Sequence, residues 1–151
     1  MVKVVYGNLL NATEDVICHQ VNCQGKMNSG VAKAIREKWP EVFTGYTAHI
    51  DMCFGTPLGG ICSVPINGGH QEVVNMFAQF SYGYDGKRYT SYDAFYNCLQ
   101  AIERAIPKDM SIAFPFKIGC DRGGADWEVI YAMIQTVLGG REVTIYKLEE
   151  K

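Results

Sequence analysis

The sequence has no long apolar run. None approaches the roughly 20 residues needed to cross a bilayer, and Met1–Tyr6 is too short for the core of a secretory leader, with Gly7-Asn8 following at once. These absences predict a soluble, cytoplasmic protein with no membrane partner. A basic surplus is missing too. The formal net charge is -2 over 151 residues, which argues against broad electrostatic binding of nucleic acid while leaving room for a local basic patch. Internal repeats, charge blocks and low-complexity stretches are absent, so no linker is visible and residues 1–151 read as one domain. No CxxC pair occurs among Cys18, Cys23, Cys53, Cys62, Cys98 and Cys120. Four of the six lie in or beside apolar stretches, where free cysteine behaves as a small hydrophobe, and reduced thiols are expected. A zinc site from Cys18, His19 and Cys23 lacks a second ligand pair, and no carboxylate or histidine cluster has ligand spacing. No metal and no cofactor are implied.

What is present is an alternation of strand-like and helix-like rhythm. Hydrophobic residues make up 48% and charged residues 20%, the balance of an ordinary globular domain. Val2, Val4 and Tyr6 read as a first strand, and Val16–Asn22 as a strand buried on both faces. A loop over Cys23–Gly30 precedes a helix from Val31, with Val31, Ile35 and Trp39 on one apolar face and Asn28 or Ser29 as its cap. Pro40 ends that helix or restarts the next, which runs over Glu41–Asp51. Gly60–Ile66 and Val73–Phe80 read as strands around the turn Asn67-Gly68-Gly69. Ser91–Ile106 is an amphipathic helix, Ser111–Ile118 a buried strand, Asp126–Leu138 a helix closed by Gly139-Gly140, and Glu142–Leu148 a last strand. Strands interleaved with helices of this length mark an α/β sandwich.

Two strand–loop–helix junctions carry the functional signal: Val16–Asn22 followed by CQGKMNSG, and Ser111–Ile118 followed by GCDRGG. Ligands of open α/β sheets bind beyond the carboxyl ends of the strands. A helix start leaves backbone N–H groups unpaired and carries partial positive charge, so it suits phosphate. Glycine lets the backbone approach such a group closely. Two such junctions predict a ligand with a diphosphate, or with anionic and sugar parts held separately. GxGxxG does not follow the first strand, and the second loop lacks the Lys-Ser/Thr of a P-loop, which argues against a Rossmann enzyme and a P-loop ATPase.

The residues that carry these junctions resemble a known family. Gly7-Asn8-Leu9-Leu10, Ile17–Ile35 (ICHQVNCQGKMNSGVAKAI), Val73–Gln79 (VVNMFAQ) and Pro115–Ile130 (PFKIGCDRGGADWEVI) are similar, in order and spacing, to the macro domain. The likeness points to the branch holding ADP-ribose 1''-phosphate phosphatases and ADP-ribosyl-glutamate hydrolases. It implies a three-layer α/β/α fold with a mixed, mostly parallel central sheet and ADP-ribose or a derivative in a cleft at the sheet's crest. By that resemblance Asn8 and Leu9 lie near the adenine, where many relatives place an aspartate after the glycine. Asn22 sits where the family uses an asparagine on the distal ribose. Gly25, Met27, Asn28, Ser29, Gly30 and Val31 form the first phosphate and ribose loop. Ile118, Gly119, Cys120, Asp121, Arg122, Gly123 and Gly124 wrap the diphosphate. An ADP-ribosylated protein is the further partner the resemblance implies.

His19 is the most pointed candidate for chemistry, because an imidazole titrates near neutrality and serves as acid or base. Alternation along the strand puts it and Val21 on one face and Cys18 and Gln20 on the other, near the cleft mouth. The resemblance favours a role, since the phosphatase branch has a histidine three residues before the asparagine; the alternative is a buried imidazole bonded to backbone. Asp126 either orients a water or imidazole, or caps the last helix. Asp121 suits a hydroxyl better than a phosphate, and Arg122 either compensates it or is simply solvated. Asn75 either bonds across the cleft or braces the sheet. Some glutamate-directed hydrolases of this branch use a lysine where this chain reads Ala78-Gln79, and an aspartate that falls on Gly123, so their lysine-adduct mechanism is not expected. Tyr82, Tyr84 and Tyr89 either cover the ligand or pack. The expected function is hydrolysis of a group on the distal ribose of ADP-ribose, a 1''-phosphate or an acyl or protein ester. The alternative is a non-catalytic module that reads ADP-ribosylated proteins or sequesters a nucleotide signal.

Overall fold

Burial on both faces of β2 (Val16–Val21) organises the fold. Every one of its residues except Gln20 is buried, and the pleat divides them by parity between two apolar layers. Val16 and Cys18 join the first layer with Phe95, Leu99 and Ile102 from α3 (Tyr92–Ala105) and Ile130, Ile134 and Leu138 from α4 (Trp127–Leu138). Ile17 and Val21 join the second with Ile35 from α1 (Gly30–Lys38) and Val42 and Tyr46 from α2 (Pro40–Met52). Burying such aliphatic and aromatic side chains contributes about 1.5–3 kcal/mol each before chain entropy is counted.

The computed structural model describes residues 1–149; positions 150 and 151, the end of the expected 1–151 domain, lie outside the described residues. The remaining strands are β1 (Val2–Tyr6), β3 (Ile61–Ile66), β4 (Gln71–Phe77), β5 (Ile112–Pro115) and β6 (Val143–Lys147). They form one sheet with β2 in the order β1-β6-β5-β2-β4-β3. All neighbours pair parallel except β3 with β4. That exception follows from the short turn at Asn67-Gly68-Gly69, because only antiparallel strands can be joined so briefly. The α/β/α layering and the mixed, mostly parallel sheet are therefore as expected.

Local chemistry sets the helix ends. Ser91 caps α3 by accepting from the Ala94 amide at 3.1 Å. Pro40 occupies the first turn of α2, where its missing N–H leaves nothing unpaired, so α1 and α2 break at Trp39-Pro40. Gly45 lets α2 settle on β3: a Cβ there would stand 2.6 Å from Val64 Cγ2. Two strand ends move by three residues from expectation. β4 ends at Phe77 rather than residue 80, and β5 ends at Pro115 rather than Ile118, because the chain turns back with Ile118 N donating to Pro115 O at 3.2 Å.

Candidate functional site

A cleft of about 330 Å³ opens over the carboxyl ends of the central strands, where open α/β sheets bind ligands. Its volume is at the lower end of the roughly 300–1,000 Å³ usual for small-molecule sites. His19–Asn22 line one part of it, Lys26 and Asn28–Ala32 another, and the chain from Pro115 to Gly119 with Asp121–Gly123 a third. Gln79 and the segment Tyr82–Tyr84 complete the lining.

The first loop is braced from behind. Asn22 donates to Lys26 O and accepts from Gln24 N, both at 2.9 Å. The buried Tyr46 hydroxyl lies 2.6 Å from Asn22 O and 2.9 Å from its Oδ1, and accepts from Gly25 N at 3.1 Å. Burial raises the Tyr46 pKa above the usual phenol range, which keeps it protonated. The loop is thus tied down over Asn22–Lys26. Ser29 stands at the N-cap of α1, but its side chain makes no cap hydrogen bond. The amides of Ser29, Gly30, Val31 and Ala32 consequently find no acceptor among the described residues.

The second loop turns its carbonyls toward the scaffold. Gly119 O accepts from Thr90 Oγ1 at 2.8 Å and Ala125 N at 3.0 Å; Gly123 O accepts from Tyr89 N at 2.8 Å and Thr90 N at 2.9 Å. Lys117 adopts φ 59°, a region that side chains rarely enter and that here redirects the chain out of the sheet. Gly119, at φ 76°, lies so close to the floor that a Cβ would stand 2.7 Å from Gln20 Oε1. The amides of Gly119, Asp121, Arg122 and Gly123 are left without an acceptor among the described residues, the arrangement of an anion-binding nest.

Charge agrees with that geometry. Lys26, Lys117 and Arg122 line the cleft against a single carboxylate, Asp121, so a chain of net charge -2 carries a locally basic site. The Arg122 guanidinium lies over the Tyr84 ring at 4.0 Å, which sets both at the rim. Tyr82 lines the cleft as well, while Tyr89 donates to Asp85 at 2.9 Å and does not line it. Gln20 Nε2 donates to Gln79 Oε1 at 2.7 Å and Thr90 Oγ1 at 2.8 Å, tying the floor to the strap that carries the tyrosines.

His19 lines the cleft but is fully buried, deeper than the mouth where its strand position suggested. Its Nε2 lies 2.5 Å from Asn75 Oδ1, a side chain rather than a backbone partner. Desolvation pushes its pKa down to about 4, only partly opposed by the Asn75 hydrogen bond, so the ring is neutral at pH 7. Asn75 braces the sheet by the same token, donating to Cys62 O at 3.3 Å.

Several expected site residues stand elsewhere. Asp126 accepts from Glu128 N at 2.9 Å as the N-cap of α4, and faces a separate depression with Tyr96 and Glu128. The second helix start therefore does not converge on the cleft; only the loop before it does. Asn8 caps a short 3-10 turn by accepting from Leu10 N, and Leu9 is buried in the second apolar layer. Met27 is buried in that layer too, and Gly25 supports the loop from behind. Gly124 packs beneath the backbone of Lys87 and Arg88. The Cys120 thiol donates to Ile118 O at 3.4 Å, and burial, helped by the charge of Asp126, pushes its pKa up to about 11. No thiolate nucleophile arises there. All six cysteines are free. Sequence reasoning missed Gln20, Lys26, Phe116 and Lys117 as lining residues and Tyr46 and Thr90 as braces; Lys26 within the first glycine loop and Lys117 just before the second were the readable clue.

Residues 18–134 match the macro domain family, and the chain belongs to it. A protein of unknown function from Bacteroides thetaiotaomicron has the same fold, with TM-score 0.86 and 26% identity over 98% of each chain. Thermosipho africanus DarTG in complex with ADP-ribose gives TM-score 0.80 at 18% identity, over 99% of this chain and 42% of that one, a likeness of fold alone. The ADP-ribose 1''-phosphate phosphatase of Neosartorya fischeri is 33% identical over 54 residues, which span 35% of this chain and 27% of the phosphatase. No helix among the described residues is long and apolar enough to cross a membrane.

Proposed function

We propose that the cleft binds ADP-ribose or a derivative of it and that the chain hydrolyses a group on the distal ribose. One observation carries the binding: two loops of one cleft present unpaired backbone amides, flanked by three cationic side chains. Amides fixed in place, with Lys26, Lys117 and Arg122 around them, suit the two adjacent charges of a diphosphate. The similarity to a phosphatase of ADP-ribose 1''-phosphate and to a fold solved with ADP-ribose supports the choice of nucleotide.

His19 is the base in this reading. Neutral at pH 7, it can take a proton from water, and a bound anion beside it raises its basicity above that of the empty site. Asp121, the cleft's one carboxylate, accepts from a ribose hydroxyl. Asp126, capping α4, is left with a structural role.

The second reading is a binding module without turnover, with ADP-ribosylated protein as partner. The burial of His19, which makes it a weak base in the empty site, favours it. Calorimetric titration with ADP-ribose, followed by release assays on its 1''-phosphate, its acyl esters and ADP-ribosylated protein, separates the two. Turnover that His19→Ala abolishes while ADP-ribose binding stays measurable, no more than about tenfold weaker, supports the enzyme. Tight binding with no release from any of the three supports the module.

A further inference from the structure

Two buried side-chain atoms lack a hydrogen-bond partner among the described residues, His19 Nδ1 and Gln20 Oε1, and both residues line the cleft. Gln20 Oε1 is roofed by the close approach of Gly119. His19 presents a different problem, because its other nitrogen is so firmly assigned. Asn75 Nδ2 faces Cys62 O, an acceptor only, so the amide cannot be turned round. Asn75 Oδ1 therefore faces His19 Nε2, and an acceptor at 2.5 Å requires a hydrogen on that nitrogen. The pair is held across β2 and β4, where His19 and Asn75 are register partners, and Asn75 is itself fully buried.

We infer that Asn75 is a positioning residue: it holds His19 as the neutral tautomer with hydrogen on Nε2 and leaves Nδ1 as a lone-pair acceptor for a hydroxyl group in the cleft. That hydroxyl belongs to the ligand's sugar or to a water beside it. The inference rests on the ligand reading above. Native proteins seldom leave a buried acceptor empty, and a cleft residue that does so is arranged for something that arrives later. Burial acts in the same direction, since it disfavours the imidazolium and keeps Nδ1 bare at neutral pH. Without Asn75, both tautomers become available and Nδ1 carries hydrogen part of the time, which would repel a hydroxyl proton.

Long-range 1H–15N correlation spectra of the imidazoles test this directly, because the chain has three histidines and the spectra of His49→Gln and His70→Gln assign the third. The wild type is expected to show His19 protonated on Nε2 alone at pH 7, and saturating ADP-ribose to shift the Nδ1 resonance as it accepts a hydrogen bond. Asn75→Ala is expected to show mixed tautomers and to bind ADP-ribose roughly two- to tenfold more weakly. Hydrogen on Nδ1 in the wild type overturns the inference, as does an Nδ1 resonance unmoved by bound ADP-ribose. Calorimetry on the same sample keeps the failures apart. No heat with ADP-ribose overturns the ligand reading and the role of Nδ1 with it, while binding with an unmoved resonance overturns only the inference.

Discussion

Replacing Gly123 by alanine perturbs the second loop without touching any charged side chain. A Cβ at that position would lie 2.3 Å from Thr90 Oγ1 and 2.4 Å from Gly119 O, closer than such atoms approach. The Thr90 hydroxyl cannot simply swing away, because it already bridges Gln20 and Gly119 O. Gly119 O is backbone and also accepts from Ala125 N, so the loop itself must move. Gly123 lies outside the positive-φ set, so the effect is steric rather than conformational. Overpacking of this kind costs about 1–3 kcal/mol, and each kcal/mol lowers Tm by about 2–4 °C in a domain this size. Displacing one loop amide from an anionic oxygen removes about 1.5–3 kcal/mol of binding, roughly a 10- to 100-fold loss for ADP-ribose. Calorimetry on the folded variant measures it, with Gly140→Ala as control, since a Cβ there meets nothing within 4 Å. Wild-type affinity in a folded Gly123→Ala protein would refute the nest.

Other variants separate structure from binding. Asp126→Ala removes the α4 cap and is expected to lower stability by about 0.5–2 kcal/mol in chemical denaturation while leaving ADP-ribose affinity within about twofold. Arg122→Ala frees Tyr84 and removes a cleft cation; ADP-ribose affinity should fall roughly tenfold at low salt and less at high salt, read by titration at two ionic strengths. His19 also leaves a signature in the pH dependence of stability. Its folded pKa of about 4 lies below its ordinary value of 6.5, so between these the unfolded chain binds the extra proton. Stability is then full above pH 6.5 and falls as the pH drops toward 4, by roughly 3 kcal/mol in all. Denaturation of His19→Gln over that window should show a correspondingly shallower loss; parallel curves would contradict the assignment.

The layers were legible because burial writes a period into sequence. The amphipathic helix expected over Ser91–Ile106 appears as α3, with Phe95, Leu99 and Ile102 on its buried face; Ser91, expected as its first residue, is its cap. Parity along β2 likewise placed His19 with Val21 and apart from Cys18. Depth was not legible. Parity says which face a side chain takes, not what lies above it, and His19 proved to be fully buried and bonded to Asn75 on β4. The end of β5 was equally hidden, since Lys117 adopts a backbone conformation its residue type disfavours. Glycine spacing marks the second loop as a close-approach segment, and the loop lines the cleft. Spacing alone could not place Asp126 in the cleft or in a cap, because an aspartate before a helix suits both. Pairs such as Thr90 with Gly119 join segments 29 residues apart and leave no periodic trace.

Fixed backbone amides of two loops should hold a diphosphate, and titrating the wild-type protein in parallel with ADP-ribose, ADP and adenosine at one ionic strength tests this most directly. ADP-ribose and ADP should both bind. Adenosine should be weaker than either by a factor of about 100, because it brings no phosphate to form two charge-assisted hydrogen bonds. Adenosine binding as tightly as ADP, or no heat from any of the three, would contradict it.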